Sequence, residues 1–118
     1  MKRKAVFAGS FDPFTIGHES IVLRSLSIFD EVVIAIGRNS NKKDFFPVEK
    51  RIQSIKEVFF GLPQISVTQY TGLTIAFCKK IQAKYLLRGL RTSADFEYER
   101  AIAQSNEKMD PEIESVFL

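Results

Sequence analysis

A chain of 118 residues, 45% hydrophobic and with 11 phenylalanines, is long and apolar enough to bury a core, which excludes a disordered chain. Its 17 basic and 14 acidic side chains leave a formal charge of +3, which suits a small anionic ligand and is too modest to argue for nucleic acid. One cysteine, Cys78, excludes an internal disulfide and a cysteine zinc cluster, and is expected to be a small buried hydrophobe in a reducing, cytoplasmic setting.

The elements follow in chain order. KAVFAG, around Ala5, predicts a first strand; the apolar stretch after the basic MKRK is broken at Gly9 and Asp12, too soon for a signal peptide. No run approaches membrane-spanning length, so a soluble protein that engages no membrane is expected. Behind Gly17, Ile21, Val22, Leu26 and Phe29 recur at helical spacing while Glu19, Ser20 and Arg24 can face water. EVVIAIG, around Val33, reads as the second strand. After Pro47, the set Val48, Ile52, Ile55 and Phe59 predicts a second helix, stopped by Gly61 and Pro63. ISVTQY around Val67 is a third strand, a short helix around Leu73, Phe77 and Ile81 follows, and KYLLRG around Leu86 is a fourth strand. The last helix runs from about Ala94 to Lys108, opened by Thr92 with Asp95 at capping-box spacing and closed before Asp110-Pro111. ESVFL is the fifth strand.

Most of these strands are continuous apolar runs, as strands covered on both faces are. Strand and helix alternating to a final strand predict an α/β chain: a Rossmann-like, doubly wound, five-stranded parallel sheet with helices on both faces, in one domain over residues 1–118. Such sheets bind ligands at the carboxyl ends of their strands, where the strand order reverses. That singles out three connections: Gly9 to His18, Gly37 to Pro47, and Arg88 to Asp95.

In the first, GSFDPFTIGH, Gly9 lets a ligand approach the backbone, and Pro13 keeps Asp12 out of helical geometry, so that the helix starts at about Thr15 or Ile16. His18, the chain's one histidine, then lies in the first turn, where unpaired N–H groups favour an anion and an imidazole can donate to a phosphate oxygen. Ser10 adds a hydroxyl. The alternative reading makes His18 a solvated or capping residue. In the third connection, LLRGLRTSADFEYE, Arg88 and Arg91 flank Gly89 before a helix N-terminus, as a phosphate clamp would; the alternative is surface ion pairing to Asp95 or Glu99. GRNSNKKDFFP brings Lys42 and Lys43 to the same edge, with Lys43 read as solvated and Phe45 and Phe46 either packed under the loop, burial being the commoner fate, or covering a subunit contact. A histidine, a hydroxyl, lysine and two arginines, with no evident nucleophile, suit phosphoryl or nucleotidyl transfer by positioning and charge neutralisation. Neither G-x-G-x-x-G nor G-x-x-x-x-G-K-[ST] is present, so the dinucleotide fingerprint and the P-loop are both absent.

GSFDPFTIGH, RNSNKK, LLRGLRTSADFEYE and PEIESVFL together resemble the bacterial phosphopantetheine adenylyltransferases of the nucleotidyltransferase superfamily, from about Lys4 to Leu118. The T-x-G-H form is shared in outline across the superfamily, whereas R-G-L-R with F-E-Y-E behind it is more specific. Thr15 stands where related cytidylyltransferases and mononucleotide adenylyltransferases carry the first histidine of H-x-G-H.

The resemblance implies transfer of the adenylyl group of ATP to 4'-phosphopantetheine with Mg2+ assisting, giving dephospho-coenzyme A and pyrophosphate. Carried over by motif, it implies that His18 stabilises the transition state, with Lys42, Arg91 and Ser10 as further catalytic groups. Ser10, Phe11, His18, Gly89, Leu90, Arg91 and Glu99 are implied to bind ATP, and Ser10, Lys42, Thr74 and Arg88 to bind phosphopantetheine, Thr74 through its backbone. A hexamer is implied as well. Family members continue past the fifth strand into an I-S-S segment that embraces the ATP phosphates, so the sequence is expected to be either part of a longer natural protein or a C-terminally truncated relative. Two alternatives stand beside this reading: another enzyme of the superfamily, namely a cytidylyltransferase or a nicotinate or nicotinamide mononucleotide adenylyltransferase, and a nucleotide-binding module without turnover.

Overall fold

The computed structural model describes residues 2–38, 46–89 and 93–118, with residues 93–99 described by backbone alone. In chain order the elements are β1 (Lys4–Gly9), α1 (Ile16–Ser25), β2 (Glu31–Gly37), α2 (Val48–Val58), β3 (Ile65–Tyr70), α3 (Thr74–Lys80), β4 (Tyr85–Arg88), α4 (Ser93–Met109) and β5 (Glu114–Phe117). All strand pairings are parallel, in the order β3-β2-β1-β4-β5. The strand order reverses between β1 and β4, because β1 leads through α1 to β2 on one flank while β4 pairs on the other.

Alternation along each strand divides the core into two layers. Ala5 and Phe7 of β1, Val32, Ile34 and Ile36 of β2 and Leu87 of β4 pack with Ile21 and Val22 of α1 and Val48 and Ile55 of α2. Val6, Val33, Ala35 and Leu86 turn to the opposite face and pack with Ile75 and Cys78 of α3 and with Ile113. This is why β1 and β2 read as unbroken apolar runs: each successive residue meets a different helical layer. Both halves of the expected architecture are therefore present, and the expected element boundaries agree with the observed ones to within a few residues.

Two side chains depart from expectation. Leu73, expected on the apolar stripe of the third helix, is 63% exposed as the N-cap residue of α3, outside the helix whose stripe it was to join. Phe46 is 39% exposed, because its backbone N–H is committed to Asp12 Oδ1 at 2.9 Å on the rim and Pro47 immediately starts the next helix. Among the described residues, no helix is long and apolar enough to cross a membrane.

Candidate active site at the carboxyl edge of the sheet

Phe7 of β1 pairs with Leu87 of β4, so Gly9 and Gly89 leave the sheet at neighbouring positions on the reversal of strand order. The first connection begins there. Phe11 holds φ at 47°, a left-handed conformation that costs a non-glycine residue about 1–2 kcal/mol. Its ring is 4% exposed and lies 5.0 Å from that of Phe7, 5.4 Å from Phe14 and 5.0 Å from the imidazole of His18. Burying an aromatic ring contributes about 2 kcal/mol or more, enough to offset the backbone strain. Gly9 serves this packing: a Cβ there would meet the Phe11 ring at 3.1 Å. The space that a side chain on Gly9 would need is thus filled by the Phe11 ring. Ser10, between them, is exposed.

Beyond the cis Asp12–Pro13 peptide, α1 starts at Ile16 with Thr15 as its N-cap. The cap is reciprocal. Thr15 Oγ1 accepts from the His18 backbone N–H at 3.3 Å, and His18 Nδ1 accepts from the Thr15 backbone N–H at 2.9 Å. A nitrogen that accepts a hydrogen bond carries no proton, so the neutral ring bears its proton on Nε2. The imidazole is held laterally by Phe7, Phe11 and Phe14, with centroids 6.1, 5.0 and 5.3 Å away. The capping role that the sequence offered as an alternative to a phosphate donor is present, and it is what fixes the tautomer a donor requires.

Arg51 was missed by sequence reasoning. It is 6% exposed on α2, and its Nη1 donates to the Ser10 carbonyl at 2.7 Å, tying the first turn to the second helix from below. Its signal was a basic residue at helical spacing between Val48 and Ile55, the buried positions of α2.

The remaining candidates divide by face. In β4, Leu86 packs on the α3 side, so Arg88, two residues on, points the same way, and its charge reaches Cys78 of α3. Thr74 opens α3 on that side, its Oγ1 2.7 Å from Tyr70 OH. Phe11 and the first turn of α1 belong to the opposite layer. Gly89 sits between the two, and a Cβ on it would overlap Cδ1 of Ile21, the end of a side chain that would have to turn aside, so β4 and α1 pack closely at this glycine. Lys42, Leu90 and Arg91 lie outside the described residues, as do the side chain of Glu99 and Phe45. Cys78 is the small buried hydrophobe the sequence suggested, and burial pushes its thiol up to about 11, with Arg88 acting weakly the other way.

A hollow of about 400 Å³ lies at the opposite, amino-terminal edge, lined by Lys2, Lys4, Lys79 and Lys84 with Asp110 and Glu112. Two of these lysines already serve the structure there: Lys4 Nζ donates to the Ile81 carbonyl just past α3 at 2.9 Å, and Lys79 Nζ stands 3.8 Å from Asp110 Oδ2. Parallel sheets bind their ligands at the other edge.

Comparison with known proteins identifies the family. Residues 6–118 match the family model described as cytidylyltransferase-like. The phosphopantetheine adenylyltransferase of Flavobacterium psychrophilum is 53% identical over 116 residues, which cover 98% of this chain and 76% of that one. The chain belongs to the phosphopantetheine adenylyltransferase family. A second member, from Flavobacterium johnsoniae, is 54% identical with the same coverage. Among solved structures, a bifunctional NMN adenylyltransferase/ADP ribose pyrophosphatase from Francisella tularensis superposes with a TM-score of 0.74 at 19% identity, over 100% of this chain and 38% of that one, a likeness of fold alone. Like the other phosphopantetheine adenylyltransferases it matches, this chain is a nucleotidyltransferase.

Proposed function

We propose that this chain transfers the adenylyl group of ATP to 4'-phosphopantetheine, forming dephospho-coenzyme A and releasing pyrophosphate, with His18 as the central donor. A phosphate oxygen of the acceptor attacks the α-phosphorus of ATP, and the bond from that phosphorus to the α–β bridging oxygen breaks in line, that oxygen leaving with pyrophosphate. Charge gathers on the non-bridging oxygens of the transferring phosphorus, and an Nε2–H donor held in place meets it without reorganising. The observation that carries this reading is the Thr15 N–H to His18 Nδ1 bond, which sets that tautomer in the first turn of α1, beside the reversal of strand order.

In the same proposal, Ser10 offers its hydroxyl and Phe11 its backbone to the phosphates at the end of β1. Lys42 and Arg91 neutralise the reacting phosphates, and Gly89, Leu90 and Glu99 contact ATP. Arg88 and Thr74 receive the acceptor on the α3 side of the sheet. Among the described residues, no three His, Cys, Asp or Glu side chains gather into a metal site. A magnesium ion in this class of reaction is bound largely by substrate phosphates and water, and no step here is assigned to it. A homo-hexamer working in the cytoplasm, folded as one domain, completes the proposal, supported by the family resemblance and by a lone buried thiol.

The decisive assay incubates the protein and Mg2+ with phosphopantetheine and either ATP or CTP, and follows pyrophosphate and the nucleotide product by mass. Dephospho-coenzyme A from ATP alone is expected. Turnover of CTP, or of ATP with nicotinamide mononucleotide in place of phosphopantetheine, would overturn the substrate assignment; ATP binding by calorimetry with no product would make the chain a binding module.

A further inference from the structure

Tyr70 ends β3 at the carboxyl edge, and three observations converge on it. Its hydroxyl lies 2.7 Å from Thr74 Oγ1, joining the end of the strand to the first residue of α3. Its ring stacks on Phe77, one turn further into α3, with centroids 4.9 Å apart and planes 25° from parallel. The space it occupies exists because β2 ends in a glycine: a Cβ on Gly37 would stand 3.2 Å from the Tyr70 hydroxyl oxygen. The backbone continues the clamp, since the Arg38 N–H donates to the Tyr70 carbonyl at 2.9 Å. The end of β2 is thus bonded to the backbone of Tyr70, and the start of α3 to its phenol.

The rest of α3's entry has nothing comparable. Leu73, its N-cap residue, makes no side-chain cap bond. Position and orientation of Thr74 therefore depend on Tyr70 rather than on a cap. Tyr70 also shares the α3 face with Arg88, the face assigned above to the acceptor.

We infer that Tyr70 is a positioning residue for the second substrate: through its bond to Thr74 and its stack on Phe77 it holds the wall along which an extended chain of methylenes and amides, ending in a phosphate, is laid toward Arg88. This rests on the adenylyl transfer proposed above. Tyr70 acts through Thr74 and the start of α3, and so it governs the apparent affinity for the acceptor, with ATP handled on the α1 side.

The test compares wild type, Tyr70→Phe and Thr74→Val in the full chain. Tyr70→Phe removes the hydroxyl and keeps the stack, while Thr74→Val removes its partner at nearly equal volume. Each single variant should raise KM for phosphopantetheine about 3- to 10-fold, the range of one lost intramolecular hydrogen bond, with KM for ATP and kcat within about twofold. The double variant should lose no more than the larger single effect, because both remove the same bond. An unchanged KM for phosphopantetheine in Tyr70→Phe, or an equal rise in KM for ATP, overturns the inference while leaving the activity standing. If wild type forms no product, calorimetric titration with phosphopantetheine takes the place of KM: weaker binding by Tyr70→Phe then supports the inference with the transfer reading lost, and equal or absent binding overturns it.

Discussion

The β1–α1 and β3–α3 turns stand at the same edge of one sheet, on opposite faces, and each holds a threonine against a ring. In the first, Thr15 is the N-cap and the ring is three residues on: backbone N–H groups and side chains of Thr15 and His18 satisfy each other. In the second, the helix has no side-chain cap, and the ring comes from the preceding strand, hydroxyl to hydroxyl. The consequence differs. A bond from backbone N–H to imidazole Nδ1 decides where a proton sits, and so prepares a chemical group. A bond between two hydroxyls leaves either one able to donate, and so prepares only a position.

The largest effect should separate these two functions. His18→Ala is expected to lower kcat about 10²- to 10³-fold with KM for ATP nearly unchanged, the mark of a donor used in the transition state. Steady-state pyrophosphate release measures both constants, and a rise in KM with kcat intact would reduce the first turn to a binding element like the second. On the other face, Arg88→Ala should raise KM for phosphopantetheine about 10- to 100-fold, the range for a hydrogen bond to a charged group, while KM for ATP holds. An equal loss toward ATP would erase the division of the site by sheet face.

Thr15→Ala sharpens the comparison within the first turn. It removes the hydroxyl, which caps α1 and also stands 3.1 Å from His18 Nδ1, but retains the shorter bond from the backbone N–H to that nitrogen, so unfolding by urea should show a loss of about 1 kcal/mol with kcat reduced no more than about threefold. A collapse of kcat to the His18→Ala level would mean that the hydroxyl, and not the backbone, sets the ring.

The smallest effect concerns Cys78, one turn behind Thr74. Its thiol should resist a disulfide exchange reagent at pH 8 in the folded chain and react promptly in denaturant. Its folded pKa, near 11, lies above the ordinary 9.0, so the unfolded chain releases this proton first as pH rises. The thiol's contribution to stability is then complete below about pH 9 and is lost as pH climbs toward 11. Prompt reaction of the folded protein at pH 8 would show the α3 layer to be more open than its packing implies.

Much of the fold was legible because β1, β2 and α2 carry strong patterns. Unbroken apolar runs such as EVVIAIG can be satisfied only where helices cover both faces, and alternation then assigns each residue to a layer. The candidate site was legible only in part. GSFDPFTIGH marked the right turn, yet the reason for Gly9 was hidden, since the ring that fills its space belongs to Phe11, two residues on, in a left-handed conformation that local preference disfavours. Arg51 escaped notice because its acceptor is the Ser10 carbonyl, 41 residues away in sequence. Leu73 was misplaced because periodicity cannot tell the last residue of a turn from the first of a helix.

By itself, the sequence determined the order of strands and helices, the parallel sheet that right-handed connections then require, and the presence of a histidine in the first turn of α1, because burial periodicity and proline and glycine punctuation are local. The tertiary structure alone decided which nitrogen of His18 carries the proton, that a buried arginine props the first turn, and that Tyr70 joins two strand ends to α3. Those depend on which atoms meet when β1, β2, β3 and their helices close around one core, and no spacing along the chain contains that information.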